Sequence, residues 1–475
     1  MPNRLVRTQR LRRQLHTNKI NNSANFLLTK REDLADFNTI EDFAVETVDD
    51  CPDNLKGFEH HFIKIRSALA KGLWSRQFLL GATVLDSLLF QAIKDPTVTD
   101  LVEQVLENIV DLGLHRPGFV VYPLHSFGVL YYGAFNVLTG AKARLVLPDP
   151  GLAITPQMND KRKVFDFLSE ASNQLDVRHR IPWDLLEHFM RSRPLKWLTN
   201  NPLLMMKVRV FSGNYYENQH LLLTRLKFAT ALMFMLASLS KFSKPDIEGR
   251  LLSSSMTNNR ETLDIKHYLV FQNPVRRRRD FSIDCIPMNI GRIELAELSD
   301  LDIEIDPREW RRRMASFKRV SVALSAMQTG YFQYCIGKRK KNARTLLYSK
   351  FMRSLNYFRR SFRAVSSFDN SVVNLTIAFE ALLIDSYVPN TKDRLVKRLR
   401  TALHGIEGVR AFSKNLRELF ETRNQIVHGG ATTADIDLAI SRRAYGHTFI
   451  SLMEKLEHRG RPLRLDRPIA DLLGE

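Results

Sequence analysis

Six consecutive residues carry the most specific chemistry in the chain: Arg423, Asn424, Gln425, Ile426, Val427 and His428, followed by Gly429 and Gly430. Histidine titrates near neutrality and can take or give a proton. Arginine stays charged and offers a fork that matches phosphate oxygens. The pair suits RNA cleavage, in which a ribose 2′-hydroxyl attacks its own neighbouring phosphate. That reaction needs a base for the hydroxyl, an acid for the departing oxygen and a cation beside the phosphorane. It needs no metal, and the sequence holds neither an H-E-x-x-H helix nor a Cys/His cluster at ligand spacing.

These residues need a helix to hold them. Leu416, Leu419 and Phe420 precede them at helical apolar spacing, and the glycine pair supplies a helix end. Five residues at about 100° each leave Arg423 and His428 roughly 140° apart around the axis. Asn424 and His428 share a face. Asn424 can therefore orient the imidazole or bind substrate, while Arg423 reaches in from the flank. A second copy of the helix packed alongside would bring two arginines and two histidines into one cleft.

The R-x-x-x-x-H spacing alone is common by chance, but its context is specific. In order, FDNSVVNLTIAFEALL (368–383), KDRLVKRLRTALHG (392–405) and LRELFETRNQIVHGG (416–430) resemble successive helices of the HEPN superfamily, most closely its Apea-like branch. Phe420 stands at the branch's tyrosine-like position, and a final helix over 433–458 completes the bundle. The resemblance spans about 350–460, roughly a quarter of the chain. It implies an all-helical, dimerising domain, and in competent members a metal-independent endoribonuclease without cofactor. There the Arg and His of both protomers meet at a shared cleft. Many such proteins serve toxin–antitoxin, abortive-infection or CRISPR-type defence, and some bind RNA or partners without cutting. By resemblance Arg423 and His428 are catalytic, Asn424 is the polar residue after the arginine, and Glu380 is the acid of the earlier helix. The alternative for Glu380 is a structural ion pair with Arg398 or Arg394.

Charge points the same way. The chain has 71 Lys+Arg against 51 Asp+Glu, a formal charge of +20 that favours polyanionic partners. One basic run fills the first twenty residues, and Arg276–Arg279 form another. A third holds Lys338, Arg339, Lys340, Lys341, Arg344, Lys350, Arg353, Arg359, Arg360 and Arg363 without an intervening acid. Tyr348, Phe351, Tyr357, Phe358 and Phe362 are interleaved with it. Lys338, Arg339, Lys340, Lys341, Arg353, Arg359, Arg360 and Arg363 are the candidate RNA contacts, with the aromatics stacking on unpaired bases. The other reading makes the aromatics core and the charges a solvated helix face. Two further classes stay open: a non-catalytic HEPN dimerisation and RNA-binding module, and a DNA-binding regulator.

With 475 residues, 44 % hydrophobic and 26 % charged, the chain is an ordinary globular sequence of roughly three domains. The expected fold is mainly α. Residues 1–50 form a polar, partly disordered basic arm. Residues 51–270 are a mostly helical sensor or regulatory domain, with a helix start at Thr97–Asp100 and an apolar stretch, 117–151, that is two buried strands or a broken helix. Residues 271–310 alternate apolar and polar, as in DFSIDCIPMNI and RIELAELSDLDIEID, and read as a β-containing insert. Residues 311–475 are the helical HEPN part. FATALMFMLASLS (228–240) is too short for a membrane span and reads as a core helix.

Cys51, Cys285 and Cys335 form no C-x-x-C pair and suit a reducing cytoplasm. The Arg-rich start lacks the apolar core of a secretory signal; its composition also fits a transit peptide, though a phosphate-contacting arm is favoured. No Gly-rich phosphate loop is present. Ser126 and Ser212 lack a nucleophile-elbow frame, and neither His60-His61 nor His115 with His125 has carboxylate or Cys support as metal ligands. The expected partners are RNA, a second copy of the chain in a homodimer or higher even oligomer, and an antitoxin, phage or sensor partner at the N-terminal region, with no membrane.

Overall fold

A computed structural model describes the chain apart from residues 1–10, 12–14, 48–51, 113, 115, 125–127, 131–144, 148–150, 156, 178, 193–194, 211–214, 240–265, 273–280, 289–290, 300–301, 305–306, 337–341, 363–367, 387–390, 430–435 and 461. The chain is mainly helical with a smaller β component.

The first unit contains α1 (Asn18–Thr29), α2 (Ile40–Glu46), α3 (Phe58–Trp74), the short strand β1 (Phe78–Leu79), α4 (Ala82–Lys94) and α5 (Leu101–Asp111). Asp100 caps α5 by accepting from the Glu103 amide at 3.0 Å, the helix start expected from the sequence. Residues 18–46 are not a loose arm. Ile20, Ala24, Leu27 and Phe43 are buried with Phe58, Ile65 and Phe90 in one core. Polar neighbours mask these positions in a composition count, yet at spacings of three and four they form a helix stripe.

A sheet follows. Its elements are β2 (Gly118–Pro123), β3 (Gly128–Leu130), β4 (Leu145–Leu147), β5 (Leu152–Thr155), α6 (Lys161–Gln174), α7 (Trp183–Arg191), α8 (Trp197–Asn200), β6 (Leu203–Val210), α9 (Tyr215–Leu239), β7 (His267–Gln272), β8 (Ser282–Pro287), α10 (Arg292–Ser299) and β9 (Asp302–Glu304). The order is β4-β5-β6-β2-β7-β8, each pair antiparallel, with β1 added parallel to β6; β3 and β9 pair separately. Phe119, Val121, Met205, Leu269 and Phe271 face α6–α8, while Val120, Tyr122, Met206, Tyr268 and Val270 face the opposite core. Both faces are covered, so β2 is a continuous apolar run, which is why periodicity alone left 117–151 open. DFSIDCIPMNI supplies β8, as expected for 271–310. Arg292–Ser299 is a helix instead of a strand. RIELAELS satisfies helical spacing too, and Glu294, Leu295, Ala296 and Glu297 are all buried. The sheet also recruits strands well outside 271–310.

The C-terminal bundle contains α11 (Pro307–Tyr331), a π-helical turn (Phe332–Ile336), α12 (Ala343–Arg360), α13 (Phe368–Leu383), α14 (Thr391–Ala402), α15 (Val409–Val427), α16 (Leu438–His458) and α17 (Pro468–Leu473). Its core runs unbroken into one sheet face through α9. Leu222–Leu239 of α9 is long and apolar enough to cross a membrane, but 78 % of it is buried within the protein, making it a core helix.

The C-terminal tail after α16 is clasped upon itself. Asp471 accepts from the Arg464 side chain and from its amide at 2.8 Å. These bonds hold its carboxyl at about 2, against an ordinary 3.8. The clasp therefore stabilises the fold above the ordinary carboxylate range and is lost as pH falls toward 2. The melting difference between the native protein and Asp471→Asn is expected to shrink between about pH 5 and pH 2. A difference constant over that range would rule out the ion pair as its source.

Candidate functional site

The six-residue motif occupies the end of α15. Phe412, Leu416, Leu419 and Phe420 bury one face of that helix. His428 is its C-cap: the His428 amide donates to the Asn424 carbonyl at 3.0 Å. Gly429 follows at φ +75°, the left-handed end expected from the sequence. A Cβ there would meet nothing, so backbone conformation and not space explains the glycine. Gly430 lies outside the described residues.

Asn424, Gln425 and His428 are exposed, and Arg423 is half-buried. Arg423 Nη1 donates to Asn424 Oδ1 at 3.1 Å, and its Nε is buried without a hydrogen-bond partner among the described residues. Glu380 lies half-buried on α13, the helix packed against α15. Burial pushes the Glu380 carboxyl up from its usual range, and the nearby Arg423 guanidinium pulls it partway back. The structure thus gathers Arg423, Asn424 and Glu380 at one helix end, with His428 one turn beyond Asn424. The alternative of a Glu380–Arg398 pair is overturned: Arg398 is fully buried and bonds Asp385 at 3.1 Å and Glu475 at 2.9 Å.

The basic run on α12 divides. Arg353 and Arg360 are exposed, and the Arg360 guanidinium lies 5.4 Å over the Tyr357 ring. With Asn356 and Tyr357 they form one stripe at spacings of three, four and seven, along an open groove of about 320 Å³ that Tyr331 also lines. Arg359 is not an RNA contact. It is 4 % exposed, 3.2 Å from Glu297 of α10 and 3.3 Å from Asn356. One residue along a helix turns the side chain about 100°, from the groove into the seam with α10. Of the interleaved aromatics, Tyr348, Phe351 and Phe358 are core; Tyr357 and Phe362 are half-buried. Lys338, Arg339, Lys340, Lys341 and Arg363 lie outside the described residues, as do Arg276–Arg279. Arg353→Ala and Arg360→Ala are each expected to lower the salt slope of RNA retention by about one. Arg359→Ala should instead lower the melting temperature; an unchanged melt with a reduced slope would reverse this assignment.

No group of three or more His, Cys, Asp or Glu that could hold a metal occurs among the described residues. The His60 and His61 rings stand perpendicular, 5.3 Å apart, and His61 stacks on Phe26 while its Nδ1 meets Ser23 Oγ at 3.0 Å, a packing role. His115, His125, Ser126, Ser212 and Cys51 lie outside the described residues. In comparisons with known proteins, no family model, no curated protein and no solved structure matches the chain.

Proposed function

We propose that the chain is a metal-independent endoribonuclease of a prokaryotic defence or toxin type, working in the cytoplasm through a HEPN-like C-terminal bundle. The observation that carries this reading is the convergence of Arg423, Asn424 and Glu380 at an accessible helix end that also bears His428. In the reaction, the His428 imidazole takes the proton of a ribose 2′-hydroxyl. The 2′-oxygen bonds the adjacent phosphorus as the P–O5′ bond breaks. Arg423 neutralises the phosphorane oxygens through its fork. Asn424 orients the substrate or the guanidinium, and Glu380 steadies Arg423 from α13. A protonated imidazole of a second copy delivers a proton to the leaving 5′-oxygen, which is why a homodimer or higher even oligomer is part of the proposal. The products carry 2′,3′-cyclic phosphate and 5′-hydroxyl ends.

The α12 groove would guide the strand, Arg353 and Arg360 meeting phosphates. The N-terminal unit and the sheet would restrain the nuclease or receive an antitoxin, phage or sensor partner, since an unrestrained RNase kills its host. The test is incubation of the purified protein with total RNA in EDTA. Cleavage that persists in chelator and yields cyclic phosphate ends supports the reading. Salt-dependent RNA retention by an intact dimer that makes no products would replace it with a non-catalytic binding module.

A further inference from the structure

A second cleft lies where α11, the π-helical turn, α12 and α16 meet, with a volume of about 460 Å³. That is the size range of small-molecule sites. The Tyr334 and Tyr348 rings stack with centroids 5.5 Å apart and planes 12° from parallel. The Arg344 guanidinium sits 5.7 Å from the Tyr334 centroid. Glu457 also lines the cleft, close to Tyr348. The half-buried Tyr334 ring, backed by the buried Tyr348, therefore lines one space with the Arg344 guanidinium and the Glu457 carboxylate.

The local backbone is built to leave that space. Along α11 the wall is made of small side chains, Ser325, Ala326 and Gly330. Gly330 has no room for a side chain, because a Cβ would overlap the Tyr348 ring. The π-helical turn carries one extra residue per turn and re-aims Tyr334 toward the cleft; such turns are frequent at functional sites. Thr345 Oγ1 of α12 donates to the Tyr334 carbonyl at 3.2 Å and holds the turn in place.

The cleft also adjoins the N-terminal unit. Gln77, a non-glycine residue at φ +59°, donates to Thr329 of the cleft wall at 3.4 Å. Its Oε1 accepts from Gln328 at 2.6 Å and from Arg225 at 3.1 Å. Asn415 of α15 bonds Ser441 near the start of α16 and Phe412 lies against His447, so the two helices are antiparallel; Glu457 is about 28 Å along α16 from its start, and the α15 motif points away from it. The cleft is therefore not part of the α15 site.

We infer that this cleft binds a purine nucleoside 5′-monophosphate, with the phosphate on Arg344, the base against the Tyr334 ring and its N–H groups (guanine N1–H and amine, or the adenine amine) on Glu457. A guanidinium recognises phosphate by charge and fork geometry. Tyrosine and arginine planes accept the face of an unpaired base. The carboxylate accepts from base N–H groups, as acidic side chains do from nucleobase amines. The volume is that of a single nucleotide. A bound nucleotide would brace the end of α11, where Gln77 holds it, against α12 and α16.

The test uses the full chain carrying His428→Ala, so that binding is read independently of any nuclease activity. Isothermal titration with GMP, AMP, UMP and inorganic phosphate is expected to show saturable one-to-one binding of a purine monophosphate, weaker UMP and weakest phosphate. Arg344→Ala should weaken binding at least about tenfold, and Glu457→Gln should change the preference between GMP and AMP. Both side chains reach solvent, so the unliganded melting temperatures should match the parent, which separates loss of binding from loss of fold. The inference is overturned if no nucleotide saturates, if Arg344→Ala binds as the parent does, or if phosphate alone binds as tightly as a nucleotide. Tighter binding of a 5′-phosphorylated trinucleotide than of GMP or AMP would overturn the assignment to a free nucleotide.

Discussion

Arg423→Ala and His428→Ala are each expected to reduce RNA cleavage at least about a hundredfold, the range lost with a general acid–base or a preorganised charge donor. His428 is exposed at the C-cap of α15, and its backbone amide makes the capping bond, so alanine keeps the helix end. Arg423 is different. Its removal leaves Glu380 half-buried without the cation that offsets burial, so the Glu380 carboxyl should rise further. Arg423→Lys restores that charge without the fork. It should return Glu380 toward its native titration while recovering only part of the activity, a split that simple unfolding would not produce. If Arg423 and His428 act on one phosphate, the double variant should be little worse than either single one. Near-native cleavage by both single variants would remove these residues from the mechanism, and linear 3′-phosphate ends formed without a cyclic intermediate would remove the mechanism itself. Mass spectrometry of the product ends decides the latter.

Arg398→Ala is expected to cost about 3–5 kcal/mol of stability, the penalty for breaking a buried ion pair from one side. Arg398 is fully buried on α14 and donates to the Leu383 carbonyl at 2.6 Å, Asp385 at 3.1 Å and Glu475 at 3.0 Å. Asp385 in turn accepts the amides of Ile469 and Ala470 at 2.6 and 3.1 Å, which seats the start of α17. Loss of the guanidinium strands a 7 %-exposed carboxylate and loosens three helices together. Removing Glu475 should cost less, because that side chain keeps 25 % of its surface in water. Urea unfolding measures both. If Arg398→Ala moves the midpoint no more than a substitution at exposed Lys397, the buried network has little weight. Arg398→Met combined with Asp385→Asn should recover part of the loss, since no uncompensated charge then stays buried.

Several features of this protein are short-range and were legible residue by residue. The end of α15 follows from a buried stripe and a glycine that takes a positive φ; the start of α5 follows from one aspartate. Hydrogen bonds within a helix and its caps involve residues no more than a few positions apart, so these features need no knowledge of neighbours. The place of the hexapeptide at that helix end belongs here too.

Other features depend on which surfaces meet. β2 shows no alternation because α6–α8 cover one sheet face and α9 the other. Arg292–Ser299 is a helix because Leu295 and Ala296 bury there against the core, and Glu297, buried beside them, is paired with Arg359 across the seam. That same contact withdraws Arg359 from the surface while Arg353 and Arg360, identical in type and adjacent in the run, remain in solvent. Arg394 and Arg398 are the partners that sequence offers Glu380, yet it meets a third arginine, Arg423, because α13 packs on α15 and Arg398 is held by Asp385 and the C-terminal Glu475. Tyr334, Arg344 and Glu457 span more than a hundred positions and form a cleft only where three helices converge. Charge and aromaticity are properties of a residue, but whether they face water, a partner or a cavity depends on packing between elements distant in the chain. Local spacing carries no record of that packing.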